Sequence, residues 1–132
     1  MSATGYSGTP QLRKLGILPG RSWDVDGEPE GWRFETAPDP EARIVEGPVD
    51  IVLAFVPTRA ALLPTIERHE ERIRPAGAIW IAWPRKAGGH VSDLAEQDIR
   101  DAALPRGLVD VKVAAIDHDW SGLKIVWRRE RR

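Results

Sequence analysis

Two unbroken apolar runs dominate the middle of the chain. VDIVLAFV at 49–56 and GAIWIAW at 77–83 are of strand length and lack polar alternation, the pattern of strands covered on both faces. Between them, from Thr58 to about Arg74, Leu62, Ile66, His69 or Glu70, and Ile73 recur at helical spacing. Pro64 inside that stretch requires either a kink or a later start. A further helix is expected after Ser92 or Asp93, with Asp93 and Glu96 at capping-box spacing and Leu94, Ile99, Ala102 and Ala103 as its apolar stripe. Towards the N-terminus, Pro10 followed by QLRKLG predicts a short helix closed at Gly16. Short strands are expected at Ser22–Val25 and Ala42–Glu46, separated by a loop bearing Gly27, Pro29, Gly31 and Pro38. Strand–helix–strand–helix order implies an α/β domain with a parallel central sheet.

The last two strands read differently. LVDVKVAAI (108–116) and WSGLKIVW (120–127) are separated only by Asp117-His118-Asp119, a hairpin connection, so they pair antiparallel. Closing the hairpin at Ile116 and Trp120 sets Val113 opposite Leu123, Val111 opposite Ile125 and Val109 opposite Trp127, which makes one face wholly apolar. The same register places Lys112 directly opposite Lys124 on the other face. Like charges so placed repel unless a carboxylate lies near, the side chains splay into water, or an anion is held between them.

With 132 residues, 42% of them hydrophobic and 30% charged, the chain is expected to form one soluble domain spanning 1–132. No cysteine is present, which excludes disulfides, thiolate metal sites and a cysteine nucleophile. The absence of a long apolar stretch sets the expectation of a cytoplasmic protein without membrane association. A net charge of −1 argues against a general nucleic-acid partner. Charge is nevertheless uneven: residues 24–50 carry nine acids against Arg33 and Arg43, and the chain ends in the basic WRRERR.

The segments KLGILPG (14–20), VDIVLAFV and RPAGAIWI (74–81) resemble the scaffold of Rossmann-type methyltransferases. YSGTPQLRKLG, IWIAWPRKAGG and GLVDVKVAAIDHDWSGLKIVWR together resemble a small bacterial family of unknown function that is methyltransferase-like in outline. The resemblance implies a single Rossmann-like three-layer domain, with a mostly parallel sheet and a C-terminal antiparallel hairpin. It also implies a glycine-rich cofactor loop after the first strand, where this chain has Asp24-Val25-Asp26-Gly27-Glu28-Pro29-Glu30-Gly31. Only Gly27 and Gly31 match, and three acids and a proline stand among them, so loss of S-adenosylmethionine binding is expected. Glu46 is the residue that would stand in for the acid that binds ribose hydroxyls.

Other chemistries find little footing. Gly5-Tyr6-Ser7-Gly8 lacks the last glycine of a nucleophile elbow, and no phosphate-binding P-loop occurs. Asp117-His118-Asp119 reads as a turn rather than a metal site, and no metal or cofactor is expected. His69 reads as a surface or stripe-edge residue, and His90 as a loop histidine able to reach a ligand only if one binds there. In an open parallel sheet, ligands bind beyond the carboxyl ends of the strands. Arg59, Trp83, Arg85 and Lys86 fall there and would form a basic, partly aromatic crevice, unless the acidic 24–30 loop closes over it as a counter-ion. The reading is a non-catalytic binding or regulatory domain for a small anionic or nucleotide-like ligand. Its alternatives are a divergent S-adenosylmethionine-dependent methyltransferase and a homodimeric interaction module. Lys112 and Lys124 are a second candidate anion site.

Overall fold

A computed structural model describes residues 9–132; the Gly5–Gly8 stretch and the first residues of YSGTPQLRKLG lie outside the described residues. Five strands form one sheet: β1 (Trp23–Asp26), β2 (Ile51–Phe55), β3 (Ala78–Pro84), β4 (Leu108–Ala115) and β5 (Trp120–Trp127). Their spatial order is β1-β2-β3-β5-β4. β1 pairs parallel with β2 and β2 parallel with β3, whereas β5 pairs antiparallel with both β3 and β4. The sheet is therefore mixed, which corrects the expectation of a mostly parallel, three-layer Rossmann-like domain. The helices are too few and too short for three full layers: α1 (Gln11–Leu15), α2 (Leu62–His69) and α3 (Glu96–Ala103). The reason lies between β1 and β2. Residues 27–50, rich in glycine and proline, form only a 3₁₀ turn at Pro40–Ala42 and no α-helix.

The central strands behave as their composition requires. Every residue of β2 is buried, as are the first five of β3. One sheet face, with Val52, Ala54, Ile79, Ile81, Leu123 and Ile125, packs under α2 and α3 through Leu62, Ile66 and Ile99. The other face, with Leu53, Phe55 and Trp80, is covered by α1 and by Trp32 and Phe34 of the long loop. Trp80 is completely buried, and its indole N–H donates to the Leu15 carbonyl at 2.9 Å, which anchors the end of α1. Pro64 causes no kink. A 3₁₀ turn at Arg59–Ala61 precedes α2, so Pro64 falls in the first turn of the helix, where its missing N–H costs nothing.

Two local expectations also need correction. The segment Ala42–Glu46 contributes only an isolated bridge between Arg43 and Trp23. α3 starts at Glu96, with the Ala95 N–H bonded to Asp98 Oδ2 at 2.8 Å; Asp93 instead accepts from the Arg59 N–H at 2.8 Å.

The hairpin closes at Ile116 and Trp120, and Val113 faces Leu123, as the sequence implies. Beyond Lys112 the register shifts through a bulge, which sets Asp110 opposite Ile125 and Leu108 opposite Trp127. Leu108 is thereby fully buried and Asp110 reaches Arg100 at 2.9 Å, while Val111 and Val113 stay half exposed. β4 is an outer strand, and a bulge with a lysine beside it is a common way to blunt such an edge.

Candidate functional site

β3 carries Trp83 and Pro84 out of the core, and the chain then turns back on the β4–β5 turn. The Arg85 N–H donates to the Asp119 carbonyl at 2.8 Å, and its Nη1 donates to the carbonyls of Asp117 and His118 at 3.2 and 3.3 Å. His90 Nε2 lies 2.8 Å from Asp119 Oδ1, which holds that carboxyl below the ordinary aspartate range. Gly88 is needed because a Cβ there would stand 2.9 Å from the His118 carbonyl oxygen. Asp117 serves its own turn: Oδ1 accepts from the N–H groups of Asp119 and Trp120, and Oδ2 from the Trp32 indole. Among the described residues no group of three histidine or acidic side chains is arranged to hold a metal ion.

This docking leaves a cavity of about 420 Å³ beyond the end of β3, walled by Trp83, Arg85 and Lys86 and by Ser92, Leu94, Glu96 and Ser121. Its size is that of a small-molecule site. Three of the four residues expected to form a crevice thus come together. Arg59 does not: its guanidinium lies 3.2 Å from Asp98 Oδ1, outside the cavity wall. The sequence reading does not single out Ser92, Glu96 or Ser121. Ser92 and Ser121 become visible only once β5 is known to lie beside β3, because Trp83 then pairs with Ser121.

Charge in the cavity is unbalanced. Glu96 is its only acid, and that carboxylate is engaged by Arg100, one turn further along α3. Among the described residues neither Arg85 nor Lys86 makes an ion pair with a carboxylate. The acidic 24–30 loop does not serve as their counter-ion. Its Gly27 sits against the Phe55 carbonyl, which a Cβ would approach to 2.8 Å, and Trp32 packs edge-on to Phe55 at 4.8 Å. The space beyond β1 and β2 is thus filled by the chain's own aromatic rings.

The acids of β1 are consumed elsewhere. Alternation along the strand turns Asp24 and Asp26 to the α2 face. Asp24, almost fully buried, is 2.9 Å from Arg72 Nη1 and 3.2 Å from Arg43 Nε. Asp26 Oδ2 accepts from Arg68 Nη2 and lies 2.7 Å from His69 Nε2. His69 is buried, not at a surface, and its Nδ1 lies 3.0 Å from Arg72 Nη1. A guanidinium can only donate, so Nδ1 accepts and the ring proton sits on Nε2, facing Asp26. Burial lowers the His69 pKa, opposed by the bond to Asp26. Arg72 also donates to the carbonyls of Ile44 and Gly47, which ties the end of the long loop to α2. A cavity of about 460 Å³ opens beside this network. Its lining charges cancel: Arg43, Arg68 and Arg72 against Asp24, Asp26 and Glu46. Glu46 therefore lines a cavity beside an arginine cluster. The Asp-x-Asp pattern, followed by a helix that ends in Arg68 and His69 with Arg72 just beyond it, is the sequence signal for this network.

Of the two cavities, the one with unmatched charge is the better ligand site. In comparisons with known proteins, no family model and no curated protein matches this chain.

Proposed function

We propose that this protein is a non-catalytic binding domain for a small anionic ligand, accepted in the cavity beyond β3. One observation carries the reading: Arg85 and Lys86 face a cavity of about 420 Å³ whose single acid is already held by Arg100. A ligand carboxylate or phosphate would supply the missing negative charge through charge-assisted hydrogen bonds. Arg85, fixed by two turn carbonyls, is a pre-oriented partner, and exposed Lys86 is the adaptable one. Trp83 adds a half-buried indole on which a flat group of a nucleotide-like ligand can stack. The resemblance to a bacterial family of unknown function fits this reading and supplies no activity of its own.

The test is a thermal-shift panel of nucleotides and small carboxylates, run on wild type and on Lys86→Glu. Lys86 has no bonded partner to lose, so the substitution leaves the unliganded melting temperature within about 2 °C. A compound that binds raises the wild-type value by roughly 3–5 °C at tenfold excess over its Kd, and does so much less in the variant. Equal shifts in both proteins, or none across the panel, would refute the assignment.

A further inference from the structure

A second group of unmatched cations lies on the opposite face of the sheet from Trp83. The register forms a row across one face: Val25, Leu53, Trp80, Lys124 and Lys112 on five adjacent strands. The first three are buried beneath α1 and the long loop. Lys124, next to Trp80, is half-buried, and Lys112 beyond it is exposed. The hairpin turn fixes this pairing, because the bulge lies beyond Lys112 and the strands are in regular register from Lys112 to Ala115. Backbone geometry thus fixes the two lysines directly opposite each other, with both side chains leaving from the same sheet face.

Among the described residues Lys112 and Lys124 take part in none of the ion pairs, and their side chains make no hydrogen bond. The remaining charge that acts on Lys124 is Arg21, a third cation, from the turn that enters β1. Burial, Lys112 and Arg21 together lower the Lys124 pKa. An uncompensated like-charge pair is a cost in the folded protein, and a bound anion removes it.

We infer that Lys112 and Lys124, with Arg21 near them, form a binding site for a small tetrahedral oxyanion, an inorganic phosphate or the phosphate group of a monoester. The site is independent of the cavity beyond β3. Each lysine donates to a separate oxygen, and buried Trp80 is the next residue inward along the row.

Inorganic phosphate is the probe, compared with chloride at matched ionic strength and about 10 mM phosphate. Phosphate also stabilises folded proteins by exclusion from their surface, so the differences between variants carry the information. The wild-type melting temperature is expected to rise by roughly 3–5 °C more than that of Lys112→Gln. Lys112→Glu places a carboxylate opposite Lys124, so it should melt higher than wild type in chloride and gain nothing specific from phosphate. Lys86→Glu, altered at the other cavity, keeps the full wild-type increment, which separates this site from the one proposed above. Equilibrium dialysis with labelled phosphate gives one ion fewer bound per chain in Lys112→Glu than in wild type. Equal phosphate increments in wild type and both Lys112 variants, or loss of the increment in Lys86→Glu alone, would overturn the assignment.

Discussion

Mild acid should destabilise this protein through His69. The ring is 4% exposed, with Nε2 given to Asp26 and Nδ1 facing Arg72. A second proton could go only to Nδ1, against a guanidinium that is itself pinned to Asp24 and two carbonyls. Burial is the largest cause holding the His69 pKa below 6.5; Arg72 and Arg68 add to it, and Asp26 opposes it. The unfolded chain is under no such restraint and takes up its proton near pH 6.5. Stability from this group is therefore fully present above the unfolded pKa and is lost as pH falls. In the limit where the folded ring stays neutral, the loss is about 1.4 kcal/mol at pH 5.5, against about 0.1 kcal/mol at pH 7.5. Asp26 also has a lowered pKa: burial raises it, but the bonds from His69 and Arg68 outweigh burial. Its stabilisation is lost only as pH falls below about 4, so the two windows are separate.

Guanidinium denaturation at pH 7.5 and 5.5 reads the effect directly. Wild type should lose stability between the two pH values, and that limiting value is the upper bound of the loss. His69→Gln, a neutral side chain with a donor and an acceptor, should be less stable at pH 7.5 by roughly 1–3 kcal/mol yet lose the pH step. His118→Gln, altered at an exposed turn residue, should retain it. If His69→Gln shows the same step as wild type, the tautomer and its restraint by Arg72 are wrong.

Two further substitutions test the packing around this network. Arg72→Met removes the partner of buried Asp24 and leaves the Ile44 and Gly47 carbonyls unanswered, so a loss of about 3–5 kcal/mol is expected in urea denaturation; a loss below about 1 kcal/mol would show that Arg43 alone suffices. Gly77→Ala would place a Cβ 2.6 Å from the Asp50 carbonyl oxygen and 2.9 Å from those of Ile73 and Val49, all backbone atoms that cannot rotate away. It should cost at least about 2 kcal/mol, and an unchanged thermal midpoint would mean that the entry to β3 is looser than its contacts imply.

The parts of this fold that were legible are those specified locally. β2 and β3 declare themselves by unbroken apolar runs, and the short Asp117–Asp119 connection forces the hairpin. The bulge at Val111 was not legible, because Val109, Val111 and Val113 alternate as a regular strand would. It arises from distant partners: Leu108 is drawn into the core and Asp110 to Arg100. The position of β5 between β3 and β4 was equally hidden. A hairpin says which strands pair with each other and nothing about which of them joins the sheet. The cavity inherits that limit: Trp83, Arg85 and Lys86 could be placed at a strand end, but Ser121 could not. Arg59 was misplaced because an arginine at a strand end reads the same whether or not Asp98 waits on a neighbouring helix.

The division of labour between arginine and lysine gives the two proposed sites a common physical origin. In a chain with 15 arginines and 4 lysines, a single arginine says little about function. The ion pairs found among the described residues are made by arginine and histidine, and Lys86, Lys112 and Lys124 take part in none of them. That is the expected allocation, since a planar guanidinium fork meets carboxylates and carbonyls at several points while an ammonium is a point charge on a flexible stem. The acids are thereby spent on arginines: Asp24 on Arg43 and Arg72, Glu70 on Arg106, Glu96 and Asp110 on Arg100. A net charge of −1 consequently coexists with three lysines, Lys86, Lys112 and Lys124, that meet no acid among the described residues. Lys86 stands at the cavity beyond β3, and Lys112 and Lys124 stand opposed on the sheet. In this protein it is the rare cation, and not the abundant one, whose position points to an anion supplied from outside.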